Sequence, residues 1–298
     1  MATKDFGRVI TAMVTPFDAD LQVDYGRAAE LARRLVAGGS DGLVVTGSTG
    51  EAATLAFDEK VRLYRTVVEA VGDEVFVWAG TGTNSTEDTI RLSRAAAEAG
   101  VDGLLLVVPY YNKPPQASLV RHFSRVADAV DLPIMLYNVP GRTATNMEPA
   151  TVARLAEHPR IVALKESSGD LSQASALRRA CPEAFVIYSG DDDLTLPLLA
   201  VGARGVVSVA ANVAPGPIAR MIAAFEAGDA AAARRLHLQL FPLFKALFVT
   251  TNPIPVKAAL DLSGFPVGGL RPPLDPADDG VRQQLAQVLA SLSDLLAG

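Results

Sequence analysis

The sequence predicts a (β/α)8 (TIM) barrel with a C-terminal helical extension, and three observations carry that expectation. Short β-rich runs alternate with longer amphipathic stretches, the pattern of βα units around a parallel sheet. Eight such runs occur, ending at intervals of roughly 20 to 35 residues, which is the strand count of a closed barrel. An open doubly wound sheet would usually show a glycine-rich phosphate loop after an early strand. Here Gly80-Thr81-Gly82 lacks the third glycine, and no Gly-Lys-Ser/Thr occurs. A length of 298 residues allows two domains, yet α/β barrels this long are commonly one unit.

In chain order the expected strands are Val9–Val14, Gly42–Thr46, Val75–Ala79, Gly103–Val108, Pro133–Tyr137, Ile161–Lys165, Phe185–Tyr188 and Gly205–Val209. Three strand entrances share a fingerprint: Gly39-Ser40-Asp41-Gly42, Gly100-Val101-Asp102-Gly103 and Gly202-Ala203-Arg204-Gly205. The first glycine suits a left-handed helix C-cap and the second a tight entry into the barrel. Ser85-Thr86-Glu87-Asp88 reads as a capping box before Ile90. Beyond the eighth strand the pattern turns helical, with helices over Pro215–Ala227, Ala230–Phe248, Pro255–Leu262 and Gly280–Leu296 and a loop over Ser263–Pro276. The division expected is a barrel over residues 1–227 and a helical extension over 228–298.

Composition removes several function classes. The net charge of −6 and the absence of a Lys/Arg run speak against a nucleic-acid partner. The single cysteine, Cys181, excludes an internal disulfide and suits a reducing compartment. Met1-Ala2-Thr3-Lys4-Asp5-Phe6 lacks the apolar core of a signal peptide, and no apolar run is long enough to span a bilayer, so a cytoplasmic protein without a membrane partner is expected. His122, His158 and His237 lie far apart, with no ligand pair at metal spacing. Asp191-Asp192-Asp193 reads as a cap for a helix starting at Leu194, so no metal is assigned.

In such a barrel the chemistry sits at the C-terminal ends of the strands. Ile161-Val162-Ala163-Leu164 reads as a buried strand ending in Lys165. Burial disfavours an ammonium, and a neutral amine forms a Schiff base with a carbonyl. The plainer reading is a lysine that snorkels to water or pairs with Glu166. Tyr137, at the end of the fifth strand, could pass a proton to or from a carbinolamine at Lys165, or simply be a buried tyrosine with a satisfied hydroxyl. Gly47-Ser48-Thr49-Gly50-Glu51 offers backbone N–H groups and hydroxyls to a carboxylate, or the N-cap of the helix Phe57–Val71. Arg142, after a Pro-Gly turn, could present its fork to a carboxylate or sit in a surface ion pair. If Tyr110-Tyr111 is extended, at most one ring faces the site, and the other packs or meets another subunit. Hydroxyl turn, tyrosine, arginine and lysine fall on one rim, which points to a lysine-dependent carbonyl enzyme.

These motifs, with Thr11-Ala12-Met13-Val14-Thr15-Pro16-Phe17 and Asn252-Pro253-Ile254-Pro255-Val256-Lys257 at either end, resemble the pyruvate-dependent class I aldolase superfamily. Within it, Pro109-Tyr110-Tyr111-Asn112 and Tyr137-Asn138-Val139-Pro140-Gly141-Arg142-Thr143 resemble the dihydrodipicolinate synthase family specifically. The resemblance implies that Lys165 forms a Schiff base with pyruvate and that Ser48 and Thr49 hold its carboxylate. It implies that Tyr137 relays protons with Ser48 and with Tyr111, the latter reaching across a dimer interface. Arg142 would bind the carboxylate of aspartate semialdehyde, and Gly190 and Val207 would contact substrate through the backbone. The implied product is 4-hydroxy-tetrahydrodipicolinate, on the route to lysine and diaminopimelate. The implied assembly is a homotetramer, a dimer of dimers, with no cofactor beyond the covalent Schiff base.

Two departures stand out. The family commonly has two threonines where this chain has Ser48-Thr49, which keeps a hydroxyl and loses a methyl that would fix its rotamer. Lysine-inhibited members carry histidines where this chain has Phe57 and Lys60, so feedback by lysine is expected to be weak or absent even though Asn84, Asp88 and Tyr110 match the effector site. Two other readings compete with the synthase. One is a 2-keto-3-deoxy sugar acid aldolase or N-acetylneuraminate lyase-like enzyme, which would need polar side chains for several hydroxyls. The other is a non-catalytic pyruvate-binding regulatory barrel, which would need neither Lys165 nor Tyr137.

Overall fold

The computed structural model describes residues 5–297. Met1–Lys4, part of the start read above for a signal peptide, lie outside the described residues, as does Gly298. Eight parallel strands close into one barrel in chain order: β1 (Val9–Ala12), β2 (Gly42–Val45), β3 (Phe76–Gly80), β4 (Gly103–Val107), β5 (Ile134–Asn138), β6 (Ile161–Glu166), β7 (Val186–Ser189) and β8 (Gly205–Ser208), with β8 returning to β1. Because strand side chains alternate, one set fills the barrel and the other meets the surrounding helices. Ile10, Val44, Leu105, Met135, Ala163, Tyr188 and Val207 pack the interior. Phe6 closes the N-terminal end, its ring centroid 5.1 Å from Phe76 and 5.3 Å from Trp78. Leu43, Val77, Leu104, Leu136, Leu164 and Val206 face outward into the helix layer. The interior is packed, so free space is left at the C-terminal rim.

Strand limits differ from expectation for local reasons. β5 begins at Ile134 because Pro133 has no N–H; its carbonyl still accepts the Leu104 N–H at 2.9 Å. β1 stops two residues early because the Val14 N–H turns to Asn212 Oδ1 at 3.3 Å. Gly39, Gly100 and Gly202 do adopt the left-handed conformation, at φ +110°, +87° and +101°. The second glycine of the fingerprint serves close approach: a Cβ on Gly205 would sit 2.0 Å from the Arg8 carbonyl oxygen. The box at Ser85 is half formed, since Ser85 Oγ accepts the Asp88 N–H at 3.3 Å while the Ser85 N–H goes to Thr83 Oγ1 at 3.1 Å.

After β8 come the helices Pro215–Glu226, Ala230–Ala246 and Ile254–Leu262. The last expected helix is two, Asp279–Ser291 and Ser293–Ala297. At the break, Leu292 leaves helical geometry (φ −108°, ψ 7°) and is buried, and Ser291 Oγ donates back to the Val288 carbonyl at 2.7 Å. The loop over Ser263–Pro276 is as expected.

Candidate active site

Lys165 ends an apolar strand and points into the barrel mouth, 5% exposed, with Nζ 4.2 Å from the centroid of the Tyr137 ring. The two residues are register partners on β6 and β5, so the sheet itself sets the contact. Glu166, one residue on, points the other way. Its carboxylate accepts from Asn138 Nδ2 (3.1 Å), the Ser168 N–H (2.8 Å) and Gln173 Nε2 (3.3 Å), and burial outweighs these bonds and raises its pKa. The alternative of a Lys165–Glu166 pair is thereby excluded. Gly190 follows β7, and a Cβ there would come within 2.8 Å of Lys165 Cε and 1.9 Å of Ser167 Oγ, so only glycine leaves the lysine its channel.

Gly47–Glu51 forms the neighbouring wall. The turn is set by left-handed Thr46 and Glu51, at φ 56° and 55°. Thr15 Oγ1 donates to the Gly50 carbonyl at 2.6 Å, and Thr49 Oγ1 accepts from Asn252 Nδ2 at 2.9 Å. Below it, Glu51 pairs with Lys257 at 2.6 Å and accepts the Arg271 N–H at 3.0 Å. Burial lowers the Lys257 pKa to about 8, and Nζ also lies 4.2 Å from the Phe17 ring centroid. The helical extension thus braces the loop from beneath. The loop does not cap the next helix: that cap is Ala56, whose N–H goes to Glu59 Oε2 at 2.8 Å.

An inner cavity of about 60 Å³ is lined by Ser48, Thr49, Tyr137, Arg142, Lys165, Gly190, Asp191, Val209, Phe248 and Asn252, among others. It adjoins an outer cleft of about 380 Å³ that shares Ser48, Tyr137, Arg142 and Asn252 and adds Lys60, Thr83 and Tyr110. Arg142 Nη2 donates to the Asn252 carbonyl at 3.3 Å. Seven of the residues picked from the sequence or implied by the resemblance therefore meet or flank one space, counting Tyr110 with Ser48, Thr49, Tyr137, Arg142, Lys165 and Gly190. Val207 lies in the packed interior of the barrel, and Val209 lines the cavity. Tyr111 is 89% exposed at φ +75° and does not reach the cavity of its own chain.

The three aspartates expected to cap a helix each do something else. Asp192, 2% exposed, accepts from Ser208 Oγ and from the N–H groups of Val209 (3.1 Å) and Ala210 (2.9 Å), tying β7 to the end of β8. Asp193 pairs with Lys245 at 3.1 Å. Asp191 lines the cavity, its pKa raised by burial to about 6 against the opposing charge of Lys165. Asn252, Asp191 and Lys257 were not singled out as site residues from the sequence; Asn252 and Lys257 stood there only as the two ends of a motif that carries the resemblance. Cys181 is buried, and burial pushes its thiol pKa up, as suits a packing residue. Among the described residues no group of three His, Cys, Asp or Glu could hold a metal ion. Among the described residues no helix is long and apolar enough to cross a membrane.

Comparison with known proteins gives a consistent result. The family model of the dihydrodipicolinate synthetase family matches residues 5–292. The chain is 60% identical over 289 residues to the 4-hydroxy-tetrahydrodipicolinate synthase of Thermosynechococcus vestitus, covering 97% of this chain and 98% of that one. Among solved structures it is similar to dihydrodipicolinate synthase from Cyanidioschyzon merolae with lysine bound (TM-score 0.95, 51% identity, 97% of this chain and 98% of that one). It is also similar to a monomeric dihydrodipicolinate synthase variant (TM-score 0.94, 41% identity, 97% of each chain).

Proposed function

Because the chain belongs to the dihydrodipicolinate synthetase family, we propose that it is a lyase that condenses pyruvate with L-aspartate 4-semialdehyde to 4-hydroxy-tetrahydrodipicolinate, in lysine and diaminopimelate biosynthesis. The observation that carries the reading is the Lys165 amine against the Tyr137 ring, inside a cavity that Ser48, Thr49 and Arg142 also line. The Lys165 amine adds to the keto carbon of pyruvate, and the carbinolamine loses its hydroxyl as water, leaving an iminium. Loss of a methyl proton gives the enamine, whose carbon attacks the aldehyde of the second substrate. The amino group of that substrate then displaces Lys165 as the ring closes, so one water is released for each product formed. Tyr137 and Ser48 move the protons, and the hydroxyls and N–H groups of Ser48 and Thr49 hold the pyruvate carboxylate. Arg142 takes the carboxylate of the semialdehyde, and Gly190 and Val207 serve through their backbones.

The lysine itself supplies the electron sink, so the scheme calls for no cofactor. The exposed Tyr111 completes the relay from a second subunit, in a homotetramer built as a dimer of dimers and working in the cytoplasm. The test is the rate of pyruvate consumption with aspartate semialdehyde, for the parent protein and Lys165→Ala, beside a panel of keto sugar acids run in cleavage. Condensation that falls by at least about 10³-fold in the variant is expected. Preferred cleavage of a keto sugar would overturn the assignment of Arg142.

A further inference from the structure

The cavity around Lys165 holds an unused carboxylate. Asp191 is fixed through its backbone, its N–H meeting Ser189 Oγ at 3.3 Å and its carbonyl accepting from Ser189 Oγ at 2.7 Å and Thr195 Oγ1 at 3.3 Å. Its side chain has no hydrogen bond or ion pair among the described residues, whereas Asp192 and Asp193 beside it are both engaged. The walls near it are otherwise largely apolar: Ala12, Val44, Leu105, Val139, Val209 and Phe248. Asp191 is the one acid among the residues lining this cavity.

The mechanism holds a cation at the Lys165 nitrogen, in the cavity that Asp191 lines. When the Lys165 amine, the pyruvate carbonyl and one proton become an iminium and water, the nitrogen carries a positive charge. It must keep that charge, rather than shed it as the N–H proton of a neutral imine, if the methyl proton is to leave and the enamine to form. Little solvent reaches the nitrogen in such a cavity, so the charge needs a fixed partner. The substrate carboxylate is turned toward Ser48 and Thr49, and Glu166 is held on the outer face of β6. We propose that Asp191 is the counter-ion of the Lys165 iminium, a role that rests on the Schiff-base reading above. The charges acting on it agree: Lys165 is the opposing charge, Asp193, Asp192 and Glu166 repel more weakly, and Arg142, which lines the same cavity, is spoken for by substrate. Its carboxyl titrates at about 6, so it is charged at neutral pH and is neutralised in mild acid.

The experiment traps the pyruvate adduct with cyanoborohydride and counts it by intact mass, over a range of pyruvate concentrations and pH, in the parent, Asp191→Asn and Asp191→Glu. Any proton taken up at the lysine nitrogen is common to parent and variants, so an acid limb present in the parent and absent from Asp191→Asn reports the neighbouring carboxylate. Above pH about 7, Asp191→Asn should need roughly tenfold more pyruvate for half-trapping. Below pH about 6 the parent should weaken toward the variant, and the acid limb should be missing in Asp191→Asn and kept in Asp191→Glu. Equal trapping by parent and Asp191→Asn at neutral pH overturns the proposal. So does a loss of the same size at every pH that Asp191→Glu does not repair, which is the mark of a structural role. A parent protein that traps nothing removes the Schiff base itself, and this role with it.

Discussion

Lys60 is the residue at which this chain departs most in charge from the lysine-inhibited pattern. It lies half-buried in the outer cleft beside Tyr110, burial lowers its pKa, and no described carboxylate pairs with it. The other effector positions are partly occupied: Asp88 meets Arg91 at 3.2 Å, and the Asn84 carbonyl accepts from Asn112 Nδ2 at 2.8 Å. A lysine ammonium about 6 Å from the Lys60 ammonium would be repelled by about 3 kcal/mol at an effective dielectric near 20. Titration calorimetry with free lysine should therefore show no binding below about 1 mM, and micromolar affinity would contradict that. Lys60 could be read from the sequence because a charge stands where the pattern has histidine. Lys165 could be read because a charge ending an apolar run is rare. Asn252 could not: its value is a bond to Thr49, 203 positions away, and periodicity does not encode such a contact. Asp191 was hidden in another way, as the one of three adjacent acids left unengaged once Asp192 and Asp193 find partners on other elements.

At the level of elements, strands are legible because a residue buried on both sheet faces must be apolar, and their ends slip by one or two positions where a side chain replaces the ladder, as at Val14. Helix interiors are legible for the same reason, whereas the break at Leu292 arises from a buried contact and was not. Between helices, polar contacts carry a pH dependence that pattern alone does not reveal. His122, on the helix Gln116–Asp128, meets Thr86 Oγ1 of the helix Thr86–Glu98 through Nδ1 at 2.9 Å, and its Nε2 is buried without a partner. Burial first, then Arg125, lowers its pKa from 6.5 to about 4. Between those values the unfolded chain binds more protons than the folded one, so this histidine's contribution to stability falls as pH drops from about 6.5 to about 4. The full span is about 3 kcal/mol. His122→Gln, which keeps a neutral partner for Thr86, should remove that part of the slope in urea unfolding midpoints. Identical slopes for the two proteins would assign the acid sensitivity elsewhere.

For the whole molecule, the cavity is built from one chain except for the proton relay that the family resemblance assigns to Tyr111. That ring stands 89% exposed at the end of a left-handed turn, which is a costly pose for a bulky residue with nothing to pack on. In the proposed assembly a second subunit supplies the contact, and exposed Leu171, Leu238 and Phe241 offer further apolar surface for it. A relay shared across an interface makes a prediction that a self-contained barrel cannot satisfy. Lys165→Ala and Tyr111→Phe should each be nearly inactive alone. Mixed after dissociation and reassembled, they should regain activity, because in a hybrid pair the Tyr111→Phe subunit keeps its own Lys165 and receives an intact Tyr111 from its neighbour. Random pairing at equal amounts leaves roughly a quarter of the sites complete, so recovery should approach about a quarter of the parent rate. The other site of each hybrid lacks both groups and stays silent, which sets that ceiling. Recovery should appear only as subunits exchange, and should track the hybrid species seen by native mass spectrometry. If hybrids form and no activity returns, Tyr111 acts within its own chain, and the exposed pose must change by a movement of the turn itself.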